Sequence, residues 1–107
     1  LITTHIEKDY SKEVDFELFT LVIKNLLDNG IKYSTDKHIT VVINENELKI
    51  INKGEALTEP LENYFKPFHA SKKGLGLGLY IVKSILDIHS MELHYAHEDG
   101  ENIFTVV

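Results

Sequence analysis

The segment Lys73-Gly74-Leu75-Gly76-Leu77-Gly78-Leu79 runs directly into an apolar stretch with helical character, Tyr80-Ile81-Val82-Lys83-Ser84-Ile85-Leu86. Three glycines alternate with leucines before this helix begins. Glycine allows the backbone to approach a ligand closely. The N-terminus of a helix offers unpaired N–H groups at the positive end of the helix dipole. The segment therefore predicts a loop that binds the phosphates of a nucleotide.

The spacing of these glycines excludes two common nucleotide-binding motifs. Gly74, Gly76 and Gly78 do not form G-x-G-x-x-G, and the chain contains no G-x-x-x-x-G-K-[ST]. Taken alone, the glycine run also fits a flexible linker in front of a helix, so a second motif is needed to support a nucleotide site.

Composition limits the classes of function that fit this chain. Its 107 residues suit one domain, spanning residues 1–107, with 43% hydrophobic and 26% charged residues. The net charge of −6 argues against nucleic acid as a partner. There is no cysteine for disulfide or thiol chemistry, and no apolar run is long enough to span a membrane. No signal peptide is visible, and because the chain opens at Leu1 rather than Met, we expect it to be a fragment of a longer protein.

Hydrophobic periodicity and turn residues predict elements in the order β-α-β-β-α-α-β-β. We expect a strand within residues 1–7, a long helix from Asp15 to about Tyr33, strands at 39–43 and 48–51, a short helix ending near Phe65, a second long helix from about Leu77 to His89, and a final hairpin that turns at Asp99-Gly100. This order predicts an α/β sandwich, in which a mixed, mostly antiparallel sheet carries the long helices on one face.

The first long helix has an apolar stripe and a polar stripe. The apolar stripe contains Phe16, Phe19, Ile23, Leu26 and Leu27, and we expect it to face the core. Val22 lies on the other side, where we expect it to be partly covered.

The polar stripe of the same helix contains Asn25, Asn29, Lys32 and Tyr33, which fall on one side at about 100° per residue. Amide oxygens are neutral ligands that suit Mg²⁺, and a lysine ammonium suits phosphate. The same residue types are also common on a solvated helix face, so the stripe alone leaves both readings open.

Four segments together match the motifs of one family. Asn25-Leu26-Leu27-Asp28-Asn29-Gly30-Ile31-Lys32-Tyr33-Ser34 closely resembles the asparagine box of sensor histidine kinase catalytic domains. Asn52-Lys53-Gly54, Tyr64-Phe65-Lys66-Pro67-Phe68 and Gly74-Leu75-Gly76-Leu77-Gly78-Leu79 resemble the first glycine box, the phenylalanine box and the second glycine box. All four follow the order of that family, which belongs with gyrase and MutL to the Bergerat-fold ATPases, and the resemblance covers nearly the whole chain.

The resemblance implies a role for each matched residue. Asn29 would be the main Mg²⁺ ligand, Asn25 would assist the metal, and Lys32 would pair with phosphate, which makes these three the implied catalytic groups. Asn52 would read adenine, with Gly54 allowing the backbone to approach the base. The complete set of implied ATP-binding residues is Asn25, Asn29, Lys32, Tyr33, Asn52, Gly54, Leu57, Phe65, Phe68, Lys73, Gly74, Leu75, Gly76, Leu77, Gly78 and Leu79.

Two residues depart from the family pattern at the first glycine box, which usually reads D-x-G-x-G. Asn52 stands where an aspartate would give adenine a charge-assisted hydrogen bond, and a neutral amide gives a weaker one. Ala56 stands where the second glycine belongs. The lid, residues 69–73, is also short. These departures leave the ATP affinity and the base selectivity open.

The activity implied by the resemblance is transfer of the γ-phosphoryl group of ATP, with Mg²⁺ as cofactor, to a histidine on a separate dimerisation domain. None of the six histidines has the setting of a phospho-acceptor box. The implied partners are ATP, that dimerisation domain and a response regulator, with neither nucleic acid nor direct membrane contact. The implied location is a cytoplasmic domain of a membrane-anchored dimer.

Two other functions remain compatible with the sequence. ATP-hydrolysing switches and serine kinases of the same fold usually place a glutamate, as general base, one turn before the magnesium asparagine. Asn25 occupies that position here and cannot take up a proton, which favours histidine as the acceptor. A non-catalytic nucleotide-sensing module is the third possibility, because Asn52 and Ala56 depart from the family pattern.

Overall fold

The predicted order of elements is confirmed in the computed structural model, which describes residues 2–6, 15–66 and 78–107. The elements are β1 (Ile2–Ile6), α1 (Phe16–Tyr33), β2 (Ile39–Ile43), β3 (Leu48–Lys53), α2 (Leu61–Tyr64), α3 (Gly78–Ile88), β4 (Leu93–Glu98) and β5 (Glu101–Val106). Predictions that concern residues 67–77, which include most of the glycine run and the lid, lie outside the described residues.

The five strands form one sheet in the order β1-β2-β3-β5-β4. The pair β1 and β2 is parallel, and the other three neighbouring pairs are antiparallel. The prediction of a mixed, mostly antiparallel sheet with the long helices on one face is therefore confirmed.

Side chains at alternate positions of β3 and β5 face the helices. Leu48 pairs with Val106, and Ile50 pairs with Phe104, and all four are buried. Alternation puts the next pair of this row on the same face of the sheet. The row thus ends in a buried polar pair, Asn52 and Asn102.

Helix α1 begins where the sequence predicts. Asp15 is the N-cap, and its Oδ1 accepts a hydrogen bond from the backbone N–H of Leu18 at 2.9 Å. This bond satisfies one of the N–H groups that the first turn leaves unpaired. The helix ends at Tyr33, and the backbone N–H of Ser34 donates to Ile31 O.

The prediction of which face of α1 enters the core was correct for Leu26 and wrong for Phe16 and Val22. The buried residues of the helix are Val22, Leu26, Asn29 and Gly30. Val22 is fully buried rather than partly covered, and Phe16 is 82% exposed rather than in the core. Phe19, Ile23 and Leu27 are partly buried at the edge of the core. The buried face of the helix therefore lies between the two predicted stripes, because it takes Leu26 from the apolar one and Asn29 from the polar one.

Helix α3 packs beside α1 and closes the core with Leu79, Val82, Ile85 and Leu86. No helix among residues 2–6, 15–66 and 78–107 is long and apolar enough to cross a membrane.

Candidate nucleotide site

The two motifs that the sequence places far apart meet where α1 passes the start of α3. A Cβ added to Gly78 would lie 3.4 Å from Asn29 Oδ1 and 3.7 Å from Asn25 Oδ1. Gly78 is the first residue of α3, so the helix that follows the glycine run starts directly against both amides. Gly78 and the amides of Asn29 and Asn25 therefore lie close together in the fold.

Asn29 has an unusual environment for a polar side chain. It is 5% exposed, and within the described part of the chain its Nδ2 atom has no hydrogen-bond partner. A buried donor without a partner costs free energy, so this amide is a candidate for contact with a ligand. Asn29 Oδ1, on the same amide, faces Gly78, so the carboxamide presents an acceptor and an unpaired donor to the start of α3.

Asn25 lies one turn before Asn29 and is held by its own helix. Its Nδ2 donates to Leu21 O at 2.8 Å. This hydrogen bond fixes the amide plane, and it leaves Oδ1 on the side of Gly78. The two asparagines therefore direct amide oxygens toward the same place, an arrangement that suits a hard cation.

The end of α1 forms the second side of the site. Lys32 is exposed in the last turn, where its ammonium can reach a solvated ligand. Tyr33 brings its backbone carbonyl against Gly54, because a Cβ at position 54 would come within 2.5 Å of Tyr33 O. The backbone N–H of Thr35 also donates to Lys53 O at 2.9 Å. Gly54 is thus required for close contact with α1, a reason that the sequence did not reveal.

Asn52 is the last member of the row on β3 that faces the helices. It is 3% exposed and pairs across the sheet with Asn102 of β5, which is also 3% exposed. A Cβ at Gly54 would lie 3.3 Å from Asn52 Nδ2 and 3.4 Å from Asn102 Nδ2. Two buried carboxamides therefore line the sheet beneath the turn that follows β3.

Three side chains of β4 and β5 contact this turn, and none of them was predicted from the sequence to be a site residue. His97 Nε2 lies 2.9 Å from Gly54 O, and Asn102 Nδ2 donates to Glu55 O at 2.9 Å. Tyr95 Oη accepts from the backbone N–H of Leu57 at 2.9 Å. One signal could have found Asn102, since a polar residue that alternates with Phe104 and Val106 is predicted to face the core.

The other predicted site residues either pack in or against the core or lie outside the described residues. Leu79 is 1% exposed, so its side chain belongs to the core and only its backbone could meet a ligand. Leu57 and Phe65 are partly buried against the core, and Lys83 Nζ lies 5.7 Å from the centroid of the Phe65 ring. The predictions for Phe68, Lys73, Gly74, Leu75, Gly76 and Leu77 lie outside the described residues.

The polar groups that the site offers to an ion or a nucleotide are side-chain amides, backbone groups and one lysine. Within residues 2–6, 15–66 and 78–107, no group of three or more His, Cys, Asp or Glu side chains could hold a metal ion. A cation here would need ligands from elsewhere, and phosphate oxygens supply them in many Mg²⁺ sites.

Comparison with known proteins identifies the same class of domain. Residues 14–107 match the family described as histidine kinase-, DNA gyrase B-, and HSP90-like ATPase. The sensor histidine kinase ArsS of Helicobacter pylori is 39% identical over 103 residues, which cover 92% of this chain and 24% of that protein. The sensor protein QseC of Escherichia coli is 31% identical over 88 residues, which cover 77% of this chain and 20% of that protein. The chain thus spans about a quarter or less of the length of these curated relatives.

Solved structures share the fold. The catalytic domain of histidine kinase ThkA superposes with a TM-score of 0.85 over 98% of this chain and 75% of that chain, at 22% identity. The cytoplasmic segment of histidine kinase QseC superposes with a TM-score of 0.72 over 98% of this chain and 55% of that chain, at 19% identity. At these identities the likeness establishes the fold alone.

Proposed function

Because this chain belongs to the family of histidine kinase-, DNA gyrase B-, and HSP90-like ATPases, we propose that it binds ATP with Mg²⁺ and transfers the γ-phosphoryl group to a histidine on a separate dimerisation domain. The observation that carries the proposal is the proximity of Gly78 to the amides of Asn29 and Asn25, which would lie 3.4 and 3.7 Å from a Cβ at position 78. It joins the two parts that such a site needs, a helix N-terminus for phosphate and amide oxygens for a cation.

The residues at this contact fit Mg²⁺. Asn29 would hold the ion through Oδ1, and Asn25 Oδ1 on the preceding turn would hold it directly or through its water shell. Mg²⁺ usually takes few protein ligands and completes its shell with water and substrate phosphates, so two neutral amides suffice. When bound, the ion neutralises charge on the phosphates. The unpaired Nδ2 of Asn29 would gain a phosphate oxygen or water as acceptor, and this would satisfy the buried donor.

The start of α3 supplies the phosphate-binding part of the proposal. The first N–H groups of a helix point away from its body and carry partial positive charge, so they favour an anion. Asn29 contacts Gly78 at this point, and an anion there would lie beside the cation ligands. Lys32 is exposed at the last turn of α1 and would add a full positive charge.

We assign the nucleotide base to the turn after β3. Asn52 is buried beside Gly54, and α1 covers this turn through Tyr33 O. A carboxamide oxygen can accept a hydrogen bond from an exocyclic amine, so Asn52 can read adenine although it lacks the charge of an aspartate.

Two features favour a histidine on another domain as the phosphoryl acceptor. The site has no general base at position 25, and the histidines of this chain have other surroundings. Asn25 occupies the position from which a glutamate could activate water or a hydroxyl, and an amide cannot take up a proton. A neutral imidazole has a nucleophilic lone pair and needs less activation. Four histidines have described side chains, and each of these is already engaged with a neighbouring group: His38, His89, His94 and His97. None of the six histidines of the chain has the sequence setting of a phospho-acceptor box, so the acceptor would lie on another domain, and a response regulator would receive the phosphoryl group from it.

Two rival functions make different predictions. An ATP-hydrolysing switch or a serine kinase would release phosphate or label a hydroxyl, whereas a non-catalytic sensing module would bind nucleotide without transfer. We further propose that the domain works in the cytoplasm as part of a membrane-anchored protein, because the relatives that it matches are sensor proteins.

The test combines calorimetry with a transfer assay. MgATP should bind the 107-residue chain with a Kd on the order of micromolar to millimolar. Labelled MgATP should then place acid-labile, base-stable phosphate on a histidine of the protein's own dimerisation domain, while the chain alone stays unlabelled. The matched control is Asn29→Ala, which should lose transfer. Acid-stable label or rapid phosphate release would support the rivals, and absence of MgATP binding would overturn the whole assignment.

A further inference from the structure

The β4–β5 hairpin holds the turn after β3 at three of its four residues. We call residues 54–57 the base loop. His97 contacts the carbonyl of Gly54, Asn102 donates to the carbonyl of Glu55, and Tyr95 accepts from the N–H of Leu57, each at 2.9 Å. The strand register places these three side chains on one face, because His97 pairs with Asn102 and Tyr95 pairs with Phe104.

The donors and acceptors of this network permit one arrangement only. The backbone N–H of Leu57 can only donate, so the Tyr95 oxygen accepts from it. The Tyr95 hydroxyl proton is then free to donate to Asn102 Oδ1, which lies 2.5 Å away. The oxygen of the Asn102 carboxamide accepts from Tyr95, and its Nδ2 atom donates a hydrogen bond to Glu55 O. The network therefore needs a hydroxyl at 95 and a carboxamide at 102, and such chains of hydrogen bonds reinforce one another.

Burial and packing fix the network in place. Asn102 is 3% exposed, and the ring of Tyr95 packs on Phe104 with centroids 5.0 Å apart. Asn102 is also the cross-strand partner of Asn52. The same side chain thus touches the base loop and lies opposite the amide to which we assign the base.

We propose that Tyr95 and Asn102 are positioning residues that hold the base loop in its binding conformation. This inference rests on the proposed function, which puts the nucleotide base at Asn52 and Gly54. The chain has no regular secondary structure between Lys53 and Leu61, so the hairpin contacts are what order this loop. A loop that is already ordered loses less conformational entropy when the ligand binds, and this raises affinity for the part of the ligand that it touches.

The test separates the base from the phosphates. Tyr95→Phe removes both hydrogen bonds of the hydroxyl and keeps the ring packing. The affinities of the variant for MgATP and for magnesium tripolyphosphate, which has no base, are measured by competition with a fluorescent ATP analogue. We expect MgATP to bind about 3- to 10-fold more weakly, with tripolyphosphate unchanged. Asn102→Asp keeps the acceptor for Tyr95 and loses the donor to Glu55 O, so it should have the same selective effect.

His94→Gln is the matched control, because His94 precedes Tyr95 on β4, is 60% exposed at its side chain and points to the opposite face. It should change neither affinity. Equal weakening of MgATP and tripolyphosphate, or a lower urea midpoint with an unchanged ratio of the two affinities, would overturn the positioning role and leave a purely structural one. If the parent protein bound tripolyphosphate but not MgATP, the assignment of the base would fail and the positioning role with it. If it bound neither, the proposed function itself would fail.

Discussion

Gly78 and Asn29 lie against each other across the interface of α1 and α3, with 3.4 Å between a Cβ built at Gly78 and Asn29 Oδ1. The glycine therefore leaves the space of one methyl group in front of a buried amide. Gly78 has no left-handed backbone, since Gly100 is the glycine with positive φ within the described ranges. What Gly78 provides is room next to the amide, and this makes the position a direct test of the site.

Gly78→Ala should separate stability from nucleotide binding. The added methyl fits at ordinary contact distance, and alanine restricts the unfolded chain, so stability should stay equal or rise by about 0.4–1 kcal/mol. The methyl would fill the space beside the two amides, and MgATP should bind on the order of tenfold more weakly. Calorimetry and urea unfolding measure the two effects. Ser84→Ala on the same helix is the control, and tight MgATP binding by Gly78→Ala would place the metal and phosphate elsewhere.

Gly54→Ala should destabilise the fold before any ligand is added. A Cβ at this position would lie 2.5 Å from the backbone carbonyl of Tyr33, which cannot rotate away as a side chain could. The strain should lower the free energy of unfolding by about 1–3 kcal/mol, the usual range for overpacking. Urea denaturation measures it. Ala56→Gly, two residues later at an exposed position, should change stability little, and equal effects of the two variants would contradict the close approach.

Asn29→Ala should abolish phosphotransfer at little cost in stability. Asn29 Nδ2 is buried without a partner in the described structure, and removal of such a group relieves a penalty of about 1–3 kcal/mol that offsets the small cavity left behind. Leu26→Ala on the same face is the control, since a buried leucine should cost about 2–5 kcal/mol. If Asn29→Ala unfolded as readily as Leu26→Ala, the amide would be a structural group rather than a site residue.

Asn52→Asp should lower the stability of the free protein and should maintain or raise its affinity for MgATP. Position 52 is 3% exposed, and a buried carboxylate costs free energy unless hydrogen bonds compensate it. The free protein should therefore unfold at a lower temperature at pH 7. The carboxylate accepts a stronger bond from the adenine amine, so MgATP should bind as tightly as to the parent or more tightly. Thermal unfolding with and without nucleotide measures both, and weaker MgATP binding would indicate that Asn52 donates to the base.

Asp36 should make the turn after α1 sensitive to acid. The Ser34 hydroxyl donates to Asp36 Oδ1 at 2.7 Å and lowers the pKa of this carboxyl below its ordinary 3.8, and the backbone N–H of His38 adds to the effect. Because the pKa is lower in the folded state, the stabilisation is present above the ordinary value and is lost as the pH falls through the lowered one. The difference in unfolding free energy between the parent and Asp36→Asn should therefore be constant near neutral pH and shrink below about pH 4. A difference that does not change with pH would contradict this linkage.

Local patterns in the sequence were sufficient to predict the elements. Asp15 starts α1 as an N-cap, and the β-branched run at residues 39–43 forms β2. These signals work because capping and the alternation of apolar residues depend on neighbours in the chain. The same signals missed the orientation of α1, since Phe16 belongs to a convincing apolar stripe and is nevertheless exposed.

The site residues that were not predicted from the sequence were missed for a different reason. Tyr95, His97 and Asn102 reach the base loop across sequence separations of 38, 43 and 47 residues. A tyrosine or histidine on an edge strand gives no local sign of its partner. Only the register of β4, β5 and β3 brings these side chains to the turn after β3.

The sequence by itself determined the order of the elements, the family and the candidate cation ligands, because each depends on spacing within one segment or on the order of motifs along the chain. The tertiary structure alone decided which side of α1 enters the core, since packing on the sheet and α3 buries Val22, Leu26 and Asn29 and leaves Phe16 exposed. It also decided why Gly54 must be glycine and which side chains hold the base loop. Those properties arise from contacts between distant segments, and no local pattern encodes them.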